Sequence, residues 1–121
     1  MILIFAFLAE ERLSGFEKSS LGEILRGAVD TSEFSFYPDP QPDQNLFMRS
    51  DNVAFVRLGI PAHSISTGLL AEDDDYHQVT DEIQTLDLVH LTRTVVAVAK
   101  AVMPLVSGEA TPTRIDPASI D

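Results

Sequence analysis

Two short segments hold residue types that could do chemistry: Asp75-Tyr76-His77-Gln78-Val79-Thr80-Asp81 and Arg49-Ser50-Asp51-Asn52. An imidazole nitrogen suits zinc, and a neighbouring carboxylate can orient the ring by bonding its other nitrogen. A histidine flanked by carboxylates therefore fits one corner of a zinc site. A complete site needs three or four ligands, however, and this spacing supplies one clear imidazole, His77. Taken alone, the segment reads more plainly as a solvated histidine in an acidic loop. His63 and His90 fall in an expected strand and an expected helix, where a hydrogen-bonded or surface role is the simpler assignment. The chain contains no cysteine, so disulfides and thiolate ligands are excluded and any metal would rest on His and carboxylates.

The elements that must position these residues can be read along the chain. Met1 to Ala9 is an apolar run of the length of a buried strand. It is far shorter than the roughly 20 residues that span a bilayer. It also lacks the positive lead and small-residue cleavage site of a signal peptide. Ser20-Leu21-Gly22-Glu23 has the capping-box pattern, predicting a helix with Leu21, Ile24, Leu25 and Ala28 on one face that stops near Asp30. Phe34 and Phe36 alternate with polar neighbours as in a half-buried strand, and the proline-rich stretch from Tyr37 to Pro42 reads as a loop. Ser50 or Asp51 can cap a short helix through Val53, Ala54, Phe55 and Leu58 that ends at Gly59, before a strand from Ala62 to Ser66. The acidic run from Leu69 to Asp75 must be exposed, because it cannot be buried without counter-charges. Thr85 is the expected cap of a long helix from Leu86 to about Val102, with Leu88, Leu91, Val95, Val98 and Val102 at helical spacing. Residues 107–121 hold too few apolar side chains to fold alone and are expected to form a flexible tail after a domain over 1–106.

With 121 residues the chain has the size of one domain, and 45% hydrophobic against 22% charged residues argues against disorder. Eight Lys and Arg against 19 Asp and Glu give a net charge of −11. That charge repels phosphate backbones and anionic lipid, so neither nucleic acid nor membrane is an expected partner. The absence of cysteine fits any compartment, so the localisation is left unknown.

Taken in order, several segments resemble the C-terminal part of the family twenty-eight metallopeptidases, the aminopeptidase and glutamate-carboxypeptidase-like zinc hydrolases. The resemblance is carried by Ser14-Gly15-Phe16-Glu17-Lys18-Ser19-Ser20-Leu21-Gly22, Phe47-Met48-Arg49-Ser50-Asp51-Asn52 with Phe55, Gly59-Ile60-Pro61-Ala62, Ser66-Thr67-Gly68, and Asp75-Tyr76-His77 with Asp81. It spans roughly residues 14–106. It implies an α/β fold, a partial mixed sheet with packed helices. It also implies His77 as a terminal zinc ligand, Tyr76 as an oxyanion donor and Asp51 as an acceptor just behind the metal. Asn52 stands where the family often has His. The family's remaining ligands, an upstream His, a bridging Asp, a Glu beside a general-base Glu and a further Asp, have no counterpart in the matched segments. Ala9-Glu10-Glu11 resembles the family's strand-end Glu-Glu, and the plainer alternative is an acidic strand end turning into solvent.

Two functions follow from different classes. In the first, the chain is the C-terminal segment of a zinc aminopeptidase-like enzyme, with peptide substrates in the complete protein and no activity or two-zinc centre of its own. In the second, it is a stand-alone binding module that kept the fold without the chemistry. Either could self-associate through an exposed sheet edge, with Met1 to Leu8 as the expected contributor.

Overall fold

A computed structural model describes residues 11–29, 34–67 and 73–120, together with the backbone of 2–5. Its four strands are β1 (Ile2–Phe5), β2 (Glu11–Leu13), β3 (Phe36–Pro38) and β4 (His63–Ser66). They form one mixed sheet in the order β1-β4-β2-β3. β1 runs parallel to β4 with Ile2 opposite His63, β2 runs antiparallel to β4 with Leu13 opposite Ile65, and β2 runs parallel to β3 with Leu13 opposite Pro38. The helices are α1 (Leu21–Val29), α2 (Val53–Val56), α3 (Leu88–Ala101) and α4 (Met103–Val106). The fold is α/β with a partial mixed sheet and packed helices, as the sequence predicts.

Parallel β2 and β3 require a crossover, and α1 supplies it. Leu21, Leu25 and Val29 of α1 bury against Leu13, Phe36 and Ile65 of the sheet and against Val98 and Ala101 of α3. Gly22 lets α1 approach the Phe16 ring, since a Cβ there would fall 2.6 Å from a ring carbon. Pro38, expected in a loop, ends β3 instead. β3 is the last strand in the sheet order, and an edge strand tolerates a residue without a backbone donor.

Caps are where local sequence misleads. The Ser20 hydroxyl does not reach toward Glu23; it accepts from the Thr113 backbone N–H at 2.9 Å, while the Ser20 N–H donates to Thr113 Oγ1 at 3.0 Å. Leu21 N–H is satisfied by Ser19 Oγ instead, at 3.2 Å. The long helix is capped by Asp87, whose carboxylate accepts from Val89 and His90 N–H, both at 3.0 Å, and the Thr85 hydroxyl donates to the Glu82 carbonyl. α2 has no side-chain cap: neither Ser50 nor Asp51 plays that part. Met103-Pro104 does not end the helical run either, because α4 continues it after Val102. By length and composition alone the 19-residue stretch Leu88–Val106 could cross a membrane. In the fold, its Thr94, Val98 and Ala101 are buried.

Beyond residue 106, where a flexible tail is expected, the segment packs against the domain. Ile115, 2% exposed, completes a second apolar cluster with Phe47, Val56 and Ala62. Its N–H donates to the Gly59 carbonyl at 3.1 Å, and Arg114 Nη2 donates to the Leu58 carbonyl at 2.6 Å. Gly59, three residues past the end of α2 at Val56, adopts φ +75 and turns its carbonyl into this contact; a Cβ there would meet the Ile115 carbonyl at 3.0 Å. A few apolar residues suffice because they fill a site the domain leaves open. Ile115→Ala should therefore cost about 3 kcal/mol, the scale of a buried Ile-to-Ala change. Urea denaturation would read it, whereas a free tail would leave the midpoint unchanged.

Candidate functional site

His77 lies in a run of turns between Asp73 and Asp81, held by Gln78 N–H donating to the Asp75 carbonyl at 2.8 Å and Asp81 N–H to the Gln78 carbonyl at 3.2 Å. Its backbone is left-handed, φ +59, a conformation that is uncommon for non-glycine residues and in which His is enriched. Its side chain is exposed, and the half-buried Tyr76 ring lies against it with centroids 4.0 Å apart. Asp51 is exposed in the turn before α2. The expected metal ligand and its two helpers thus all sit on turns. Among the described residues no three His, Asp or Glu side chains gather closely enough to hold a metal ion.

Of the strand-end pair, Glu10 lies outside the described residues. Glu11 opens β2 and is buried at 4% exposure. Its Oε1 accepts from Thr94 Oγ1 at 3.3 Å and lies 3.8 Å from His90 Nε2. That carboxylate is engaged by α3. His90 has a local partner there, in keeping with a hydrogen-bonded rather than ligating histidine.

The most organised polar cluster lies elsewhere, under the turn that carries Asp51. Asn52 is fully buried and its amide donates to the Phe47 carbonyl at 2.9 Å and the Ala62 carbonyl at 3.1 Å. Its own oxygen accepts a short hydrogen bond from Ser50 Oγ. With that proton committed, Ser64 Oγ is the donor to Ser50 Oγ at 2.8 Å. Ser64 N–H donates to Ser14 Oγ at 3.1 Å, and Ser14 N–H to the Ser64 carbonyl at 3.0 Å. His63, next along β4, is also fully buried. Its Nδ1 lies 2.9 Å from the Ser14 carbonyl, which can only accept, so Nδ1 carries the proton. Neutral Nε2 then accepts from Ser19 Oγ at 2.9 Å. Burial lowers the His63 pKa below the ordinary 6.5, opposed by the hydrogen bond to Ser14. Beside this cluster runs an open groove of about 330 Å³, lined by Gly15, Lys18, Asp39, Asn45, Phe47 and Ile120 among others; Asp51, Tyr76 and His77 are not in its wall.

The sequence model of peptidase family M28 matches residues 4–102. The chain belongs to that family. The match begins upstream of the segments that carried the resemblance and takes in Ala9-Glu10-Glu11. No curated protein and no solved structure matches the chain. In this member of the family, the residue after Asp51 has a structural task. Asn52 ties the loop to the strand, a role that the Ser-Asp-Asn triplet did not announce. The serines at 14, 19, 50 and 64 are too far apart in sequence to show that they share one network.

The His63 shift sets a pH dependence. The unfolded chain takes up a proton near the ordinary 6.5 while the folded chain still resists it. The stabilising contribution of neutral His63 is therefore complete above 6.5 and is lost as pH falls from there toward the lower folded pKa. Urea midpoints should fall between about pH 7 and 5. In a His63→Gln variant, which has no proton to gain, that part of the fall should vanish. An equal fall in both proteins would assign the effect to other groups.

Proposed function

We propose that this chain is the C-terminal segment of a zinc-dependent, aminopeptidase-like member of the family, acting on peptides in the complete protein and inactive by itself. The family match over residues 4–102 carries this reading. In it His77 serves as a terminal zinc ligand, Tyr76 donates to the oxyanion and Asp51 accepts from behind the metal. The exposure of His77 and Asp51 on turns is compatible with a partner structure closing over them.

The donors present do not by themselves fit a two-zinc centre. Structural and catalytic zinc sites use three or four protein ligands, and no group of three is assembled among the described residues. Peptide hydrolysis by such chemistry needs an activated water, a base and a positive centre for the developing oxyanion, each contributing orders of magnitude. Tyr76 and His77 address only the last of these. Glu11, already bonded to Thr94, is poorly placed to serve as the base.

The alternative, a binding module that kept the fold without the chemistry, draws its support from the docking of Ile115 into the second cluster. That contact closes a core within this chain's own residues. Calorimetry with zinc and a turnover assay test whether the chain alone is inactive. Under the peptidase-segment reading, the chain alone takes up less than two equivalents and shows no turnover of chromogenic amino-acid amides with zinc or cobalt added. Turnover that falls in Glu10→Gln or Glu11→Gln would instead make the chain a compact enzyme with the strand-end pair as its base and ligand.

A further inference from the structure

The helical run from α3 into α4 has two apolar faces, and the fold uses one. Thr94, Val98 and Ala101 face the core with α1. On the other side, Leu88, Val89, Val95, Val96, Met103 and Val106 are between 48% and 75% exposed. Thr92 and Ala99, both exposed, lie along the same stripe and are small enough to admit a close neighbour. Arg93 and Lys100, seven residues apart and both exposed, flank Val96 on one side. Between Leu88 and Val106 the sequence has no Asp or Glu, in a chain of net charge −11.

We propose that this stripe is a docking surface for an amphipathic helix of a partner protein, with apolar residues along its contact face and carboxylates flanking it to meet Arg93 and Lys100. Area and charge favour that occupant. A run of 19 residues at 1.5 Å each and one helix wide presents roughly 300 Å². That is well short of the ~800 Å² that each side of a standard stable interface buries, a scale that suits one helix better than a whole folded face. One helix laid along the stripe matches its length and width. A second copy would present no carboxylate between Leu88 and Val106 to meet Arg93 and Lys100. Anionic lipid could use the cations, but the chain's overall charge opposes it.

The test uses the full chain and two synthetic helical peptides that share one Leu/Ala stripe, flanked by Glu in one and by Lys in the other, followed by fluorescence anisotropy. The Glu-flanked peptide should bind with a micromolar Kd that weakens as salt rises, and the Lys-flanked one at least ~10-fold more weakly. Arg93→Glu combined with Lys100→Glu should reverse the preference. Val96→Asp, whose folding is checked by circular dichroism, should weaken both by ~10-fold or more. Equal binding of the two peptides, or binding indifferent to these variants, would overturn the proposal. So would binding to phosphatidylserine vesicles without binding to either peptide, or a dimer in sedimentation that Val96→Asp dissolves.

Discussion

A buried amide decides how this chain comes together. Asn52 has no exposure to water and bonds to the carbonyls of Phe47 and Ala62, one before its turn and one at the entrance to β4. Without those bonds two carbonyls and an amide would be left unsatisfied in the interior, where each such group costs about 1–3 kcal/mol. Ser50, Ser64 and Ser14 extend the network from that amide to the end of β2, and His63 carries it on to Ser19 at the start of α1. Strand register, the α2 turn and the placement of α1 are thus coupled by hydrogen bonds, and not by apolar packing alone. Such a network specifies one arrangement because each member's donor or acceptor role is fixed by its neighbour's. The Phe47 ring, 5.4 Å from the His63 ring, seals it on one side.

What sequence could reveal here was whatever depends on neighbours in sequence. The strand through His63 to Ser66, the α1 helix and the left-handed turn at Gly59 all rest on periodicity or on a single backbone requirement, and they were legible, although α2 ends at Val56 and not at Gly59. The expected caps failed because several residues near each helix start could supply an acceptor. At α1 a contact from far along the chain chose among them, and at α3 the Thr85 hydroxyl is taken up by Glu82, three residues back. Ser20 faces Thr113, a residue 93 positions away, so Ser19 takes over the cap. The docking of Ile115 was hidden for the same reason: a short apolar residue in a polar tail has no periodicity to betray it. At the candidate site, the Tyr-His and Ser-Asp segments were recognisable, but no local rule reveals that Asn52 is structural or that Glu11 is occupied by Thr94.

The long helix shows the limit of periodicity more sharply. Val98 and Val102 of the apolar set Leu88, Leu91, Val95, Val98 and Val102 do reach the first core cluster, as expected. Leu88 and Val95 do not, being 52% and 49% exposed. The residue that fills the buried face among them is Thr94, which an apolar count passes over. Its hydroxyl can be buried because Glu11 accepts its hydrogen bond, and Thr94 and His90 both lie beside the buried Glu11 carboxylate. A helix rich in Val and Ala around its whole circumference offers more than one face to a core. The polar pair across β2 and α3 is what selects the rotation.

Rotation in turn connects the core to the surface. Turning α3 by the angle that puts Thr94 against Glu11 places Val95 and Val96 outward together, since residues adjacent in a helix lie about 100° apart. The outward stripe is therefore a consequence of the same contact that joins Thr94 to Glu11, and rotating the helix to remove the stripe would break that contact. Replacement of the outward valines by polar residues would carry no such cost, because exposed helix positions accept polar side chains readily. The fold constrains Thr94 and leaves Val95 and Val96 free to be polar, yet the sequence keeps both apolar. The stripe is thus apolar by sequence and not by any demand of the Thr94–Glu11 contact.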